Sequence, residues 1–290
     1  MSALPDFDAL WNYQDPSGTE AAFRAILDQS DIALSPAYRA ELLTQVARTH
    51  SLRGQMDQAH ELLAQVATIL TTDDPALRCA RVRYLLELGR TLNSAGDREA
   101  SRPLFLEAWH RATELEAEFH AVDALHMLAI VSAPTDQVTW ALRALEIARR
   151  AQDPRARRWE GPLTNNLAWS YHDRGEFAKA LTAFESAYAF WLETGREQPI
   201  RVARWSVARA LRSLGRAAEA LAIQQELLAA GDATGFVHEE LGECLLALGR
   251  DQEAVPHFAR AAEALGQDPG FLRREPDRVD RLRRLGGVSG

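Results

Sequence analysis

The sequence predicts an all-α solenoid of stacked helical hairpins, and three observations predict it. Six times a small residue sits inside an apolar helical run: Ala47, Gly89, Ala129, Ala168, Ala208 and Gly242. Each is followed twelve positions later by a second small residue: Ala59, Ser101, Ala141, Ala180, Ala220 and Ala254. Between them lies a turn, marked by Gly54, Gly96, Gly175, Gly215 and Gly249. Successive first members are 42, 40, 39, 40 and 34 residues apart, so length varies between units while the inner offset stays fixed. A fixed offset is what a close helix–helix approach demands, because a large side chain at either position would push the pair apart. The glycines give the turns access to left-handed dihedrals, and repetition at this period marks a repeat array.

The elements follow in order. Ser17–Gln29 reads as a helix capped by Ser17 or Thr19, with Phe23, Ile26 and Leu27 on its apolar stripe. Ser35-Pro36 opens the first full unit with a cap and a first-turn proline. Its helices present Leu43, Val46 and Ala47, then Ala59, Leu62, Leu63 and Val66. Asp74-Pro75 opens the second unit in the same way, with Leu85, Leu88 and Gly89 before Gly96 and Leu104, Phe105 and Ala108 after it. The third unit has Leu125, Leu128 and Ala129, a turn at Ala133–Asp136 without glycine, then Ala141, Leu142, Leu145 and Ala148. Asp153-Pro154 leads to the fourth, Leu167 to Ala187, and Gly195 and Pro199 to the fifth, Val207 to Leu227. The sixth runs from Leu241 to Ala261, and Gly266–Gly270 breaks the helix. Residues 275–285 form a short arginine-rich cap and Gly286–Gly290 a frayed tail.

These units resemble tetratricopeptide repeats. The fourth carries the motif at Leu167, Ala168, Tyr171, Gly175, Ala180, Phe184 and Ala187, and the sixth at Leu241, Gly242, Gly249, Ala254, Phe258 and Ala261. The second has Ser101 in place of the second alanine, the third lacks the turn glycine, and the fifth has Gln224 at the aromatic position. Units of about 40 residues look like the lengthened repeats of some motor-protein light chains and bacterial regulatory proteins. The resemblance implies a tetratricopeptide-like solenoid with a right-handed superhelix. It reads as one array over 1–290: an N-terminal cap at 1–35, six repeats over 36–265, and a C-terminal cap and tail at 266–290. It also implies a concave groove that binds peptides or protein segments.

Composition bounds the function. The net charge of -8, from 41 acidic and 33 basic residues, argues against a general nucleic-acid coat, and the basic runs are too interrupted for sequence-specific recognition. The N-terminus lacks a signal-peptide pattern, and no run of 18 apolar residues crosses a membrane, so cytoplasmic residence is the default reading. Cys79 and Cys244 read as separate buried thiols. No phosphate loop, nucleophile elbow or metal motif is present, so the reading is non-catalytic, with no cofactor and no metal.

In repeats of this kind the first helix of each pair lines the inner surface. The inward phase gives Thr44 and Arg48, Leu86 and Arg90, His126 and Ile130, Asn165 and Trp169, Trp205 and Arg209, then Glu239 and Glu243. Asn93, His172 and Arg212 lie one turn further on, and Asn166 adjoins Asn165. The candidate ligand-binding set is therefore Arg48, Arg90, Asn93, Asn165, Asn166, Trp169, His172, Trp205, Arg209 and Arg212. Arginines bind carboxylates in pairs of bonds, tryptophans offer rigid apolar platforms, and asparagine amides hold extended backbone. The partner read from this set is an acidic, partly aromatic peptide or protein segment. Asn166 resembles an asparagine with which some family members hold a terminal carboxylate, although the accompanying lysines are absent. The main reading is a binding scaffold; the alternatives are a bacterial regulatory peptide sensor acting through a partner, and a self-associating structural protein. Exposure of Trp109, Trp140 and Trp191 together would favour a homodimer.

Overall fold

The computed structural model describes residues 4–28 and 35–288. The predicted end of the first helix at Gln29 and the last two tail residues lie outside them. Among the described residues there are helices and turns but no strand. They cluster into two compact units, Met1–Trp159 and Glu160–Gly290, a division that the repeat phase does not mark.

The first unit opens with a 3-10 turn at Phe7–Leu10, then α1 (Pro16–Leu27). Three hairpins follow: α2 (Pro36–Leu52) with α3 (Met56–Ile69), α4 (Arg78–Ser94) with α5 (Arg98–Glu114), and α6 (Glu118–Val131) with α7 (Pro134–Arg150). A single-turn helix, α8 (Pro154–Arg157), ends it. The second unit holds α9 (Glu160–Asp173) with α10 (Phe177–Thr194), α11 (Glu197–Ser213) with α12 (Ala217–Ala229), and α13 (Gly235–Ala247) with α14 (Asp251–Gly266). The short α15 (Pro269–Arg274) and α16 (Pro276–Gly286) close on α14. Gly286 is no part of a frayed tail: it ends α16 buried, and a Cβ there would lie 2.5 Å from the Ala259 backbone nitrogen.

Several starts differ from expectation. Asp15, not Ser17 or Thr19, caps α1 by accepting from Gly18 N, because Pro16 takes the first helical position. Ser35 caps α2 as predicted. Asp74 caps only a 3-10 turn, Pro75–Leu77, before α4 begins.

The small residues are explained by ring packing. A Cβ on Gly89 would sit 2.6 Å from the Phe105 ring, and one on Gly242 would sit 2.8 Å from the Phe258 ring. Phe105, Phe184 and Phe258 are fully buried, each sixteen residues after the small residue of its own hairpin. In the α4–α5 and α13–α14 hairpins the first helix therefore needs a small residue because the return helix lays an aromatic ring across it.

The third hairpin is the exception. In the other five, the return helix begins nine residues after the small residue; here it begins five residues after Ala129. The predicted turn at Ala133–Asp136 is corrected to the two residues Ser132 and Ala133, since Pro134 starts α7. Ala129 is only half-buried, while Ala124, Leu125 and Leu128 form the buried face. The missing turn has moved upstream, between α5 and α6. There Glu116 N donates to Thr113 O and Ala117 N to Ala112 O, the pattern that Gly96 and Asp97 make with Asn93 and Leu92. Glu116 accordingly adopts φ +52°, a left-handed conformation that costs a non-glycine residue about 1–2 kcal/mol. Glu116→Gly is expected to raise the stability of this unit by about 0.5–1 kcal/mol, after glycine's own entropy cost. Urea denaturation of the two proteins checks this, and an unchanged midpoint would argue against strain at the turn.

Candidate functional site

In the first unit the side chains on the first helices form a closed ionic chain. Arg48 on α2 donates to Glu87 on α4 at 3.2 Å. Glu87 also accepts from Arg90 one turn later, and Arg90 reaches the Asp123 carboxylate on α6. Burial alone would raise the Asp123 pKa, but the Arg90 charge and hydrogen bonds, with Arg48 beyond, hold it below the usual carboxylate range. Arg90 is therefore a structural cation with little surface left for a ligand. Asn93 lies half-buried at the end of the same helix. His126 stacks on Trp159, ring centroids 5.0 Å apart, and burial lowers its pKa.

In the second unit the rings form a ladder. Trp169 on α9 lies 6.0 Å from Trp205 on α11, Trp205 lies 6.2 Å from Phe236 on α13, and Phe236 lies 5.6 Å from Phe271 on α15. Trp169 also rests edge-on against the core ring Phe184, and Trp205 Nε1 donates to Phe236 O. Both tryptophans stay half-exposed. His172 Nε2 meets Ser213 Oγ at 2.9 Å.

The arginines of this unit converge on a buried acid. Glu240 bonds to Arg209 Nη1 at 3.1 Å and to Arg212 through Nε and Nη2. Burial pushes the Glu240 carboxyl up to about 7 against the pull of Arg212. Arg209 keeps about a third of its side chain exposed (32%), whereas Arg212 is more enclosed. Glu239 and Glu243, read as an acidic groove end, are held by Arg278 and Arg281 from the terminal cap. The predicted arginines form no free basic strip: Arg48, Arg90, Arg209 and Arg212 are all paired.

Two predicted residues do keep open chemistry. Asn165 is half-buried and Asn166 exposed, and among the described residues neither side-chain amide is bonded within the protein. Both precede Trp169 on α9, by four and three residues, which sets them along its flank.

Sequence reasoning missed Arg83, Phe236 and Arg278. Arg83 carried a usable signal, since it lies seven residues before Arg90 on the same helical face. Phe236, Phe271 and Arg278 belong to no repeat position that the motif describes. Of the three tryptophans weighed for self-association, Trp109 and Trp140 meet at 5.8 Å under Arg143, while Trp191 belongs to the other unit and packs on Phe190. Cys79 is half-buried and Cys244 buried, and burial pushes their thiols up to about 11 and 12. His238 and His257, scattered in sequence, come within 3.1 Å. Among the described residues, no group of three or more His, Cys, Asp or Glu side chains could hold a metal ion, and no helix is long and apolar enough to cross a membrane.

Family models described as tetratricopeptide repeat match residues 163–194 and 237–273, the fourth and sixth hairpins. No curated protein matches the chain. Among solved structures, the chain is similar to a signal-transduction ATPase with a tetratricopeptide repeat sensor from Pyrococcus horikoshii, at TM-score 0.71 and 13% identity. That match covers 94% of this chain and 42% of the other, so the chain spans about two fifths of that protein's length. The apo form of RapI matches at TM-score 0.75 and 13% identity, over 98% of this chain and 80% of the other. The apo quorum sensor NprR from B. thuringiensis matches at 0.69 and 14%, over 98% and 82%. At these identities the likeness is one of fold. Among the described residues six helical hairpins follow one another, and the fourth and sixth are tetratricopeptide repeats, with which the rest of the array shares its fold.

Proposed function

We propose that the chain is a regulatory array that receives a peptide segment on the α9–α11–α13 face and passes the change to a partner. The carrying observation is the pair of unbonded amides, Asn165 and Asn166, beside the Trp169–Trp205 platform. Amide side chains can take both the N–H and C=O of an extended backbone, and adjacent indoles take an apolar or aromatic side chain. Arg209, still partly exposed, supplies a cation at the platform's edge, which suits an acidic residue in the ligand. The structural likeness supports the sensor reading over a passive scaffold. The similar proteins include a quorum sensor, a tetratricopeptide repeat sensor and a Rap protein complexed with Competence and Sporulation Factor.

Selection of a random peptide library on the full chain tests this, with Asn165→Ala/Asn166→Ala as the comparison. Removing two amides that bond a ligand backbone should weaken the selected peptides at least about tenfold. Enriched peptides should pair an aromatic with an acidic residue. Equal binding to both proteins, or no enrichment at all, defeats the reading.

A further inference from the structure

Residues 5–13 do not simply lead into α1; they lie across α2 and α4. Tyr38 Oη on α2 donates to Pro5 O at 2.8 Å. The buried Phe7 ring sits edge-on to Tyr38 and Phe23, with the Arg83 guanidinium 5.2 Å from its centroid. Asp8 accepts from Arg83 through both terminal nitrogens and from Arg155 of α8 at 3.1 Å. Trp11 Nε1 donates to Gln45 Oε1 at 3.1 Å, and the Trp11 ring stacks on Tyr13, over which Arg48 lies.

The receiving side is prepared. Arg83 and Gln45 are each only 6% exposed, and both turn donor or acceptor atoms to this segment. Glu41, 3.1 Å from Arg83 Nε, fixes the guanidinium from behind. A buried arginine presenting two parallel donors is a carboxylate receptor, and the flanking aromatic wall and amide add selectivity. The segment itself is held almost wholly by side chains. Apart from Pro5 O, its backbone bonds are local to residues 4–19, and Leu10 and Tyr13 remain exposed. Such an occupant can leave without opening a helix.

We infer that the α2–α4–α8 face of the first unit is a receptor for short acidic-aromatic peptides of pattern Phe-Asp-x-x-Trp. Residues 5–13 are its built-in occupant, and a partner segment of the same chemistry must displace them. A tethered occupant acts at an effective concentration of order mM, so it masks the face from weak ligands and sets a threshold for strong ones. This surface belongs to the other compact unit from the α9–α13 face, and failure here leaves that reading standing.

The test uses the full chain, its Asp8→Asn variant, and a labelled synthetic peptide of residues 4–15 followed by fluorescence anisotropy. Asp8→Asn weakens the occupant but leaves Arg83 paired with Glu41. The variant should bind the peptide at least tenfold more tightly than the wild type. Adding Gln45→Ala, which removes the Trp11 acceptor, should cut that binding at least threefold. Hydrogen exchange should show faster amides over residues 5–13 with α2–α7 unchanged. Equal binding by wild type and variant would overturn the inference. So would unfolding of the variant, or α2–α7 opening together with the segment, because either makes residues 5–13 core and not occupant.

Discussion

Arg90→Ala is expected to lower the stability of the first unit by about 3–5 kcal/mol, the cost typical of removing one partner from a buried ionic group. Arg90 is the link between Glu87 and Asp123 in the Arg48–Glu87–Arg90–Asp123 chain, and its loss strands the buried Asp123 carboxylate and leaves Glu87 only Arg48. Arg209→Ala provides the contrast. Arg209 is a third exposed, and Glu240 keeps Arg212, so the expected cost is under about 1 kcal/mol. Urea denaturation followed by circular dichroism measures both. A loss below about 1 kcal/mol for Arg90→Ala would mean that the network is effectively solvated. Replacing the whole group with apolar residues, as Glu87→Leu/Arg90→Met/Asp123→Leu, should recover most of the loss, because the desolvation cost goes with the charges. One practical result is that Arg90→Ala cannot serve as a binding-defective variant, since a failed capture would report unfolding.

Gln224→Met should stabilise the second unit by about 1–3 kcal/mol. Gln224 occupies on α12 the place that Phe184 and Phe258 occupy on α10 and α14. Its side chain is fully buried, and neither amide atom has a protein partner among the described residues. Methionine keeps the length and the helix preference while removing both unpaired polar atoms. Thermal and urea unfolding should both shift upward. A neutral or negative change would assign the amide a bonded partner and make this position part of a site.

The hairpins were legible because close packing leaves a size rule in the sequence. Gly89 and Gly242 must be small where Phe105 and Phe258 cross them, and the turn glycines must adopt positive φ. The third hairpin was misplaced because its turn geometry moved to Glu116, a residue that carries no left-handed signal. Phase singled out Trp169 and Trp205, one on each of two successive first helices, and their rings lie 6.0 Å apart. It could not show that every groove arginine is already spoken for. Glu240, Arg278 and Asp8 pair with residues 28 to 75 positions away, and nothing local in the sequence records those distances.

The constant nine-residue span from small residue to return helix has a consequence for how such a chain can be edited. Five hairpins share one joint, so a cut placed outside both helices of a hairpin, before the first and after the return helix, moves it whole and leaves its internal contact undisturbed, the ring-on-glycine contact in α4–α5 and α13–α14 included. The α6–α7 hairpin has a different joint and borrows its left-handed turn from the hairpin before it. It can be moved only together with the end of α5, which makes residues 112–150 the one indivisible block among the six.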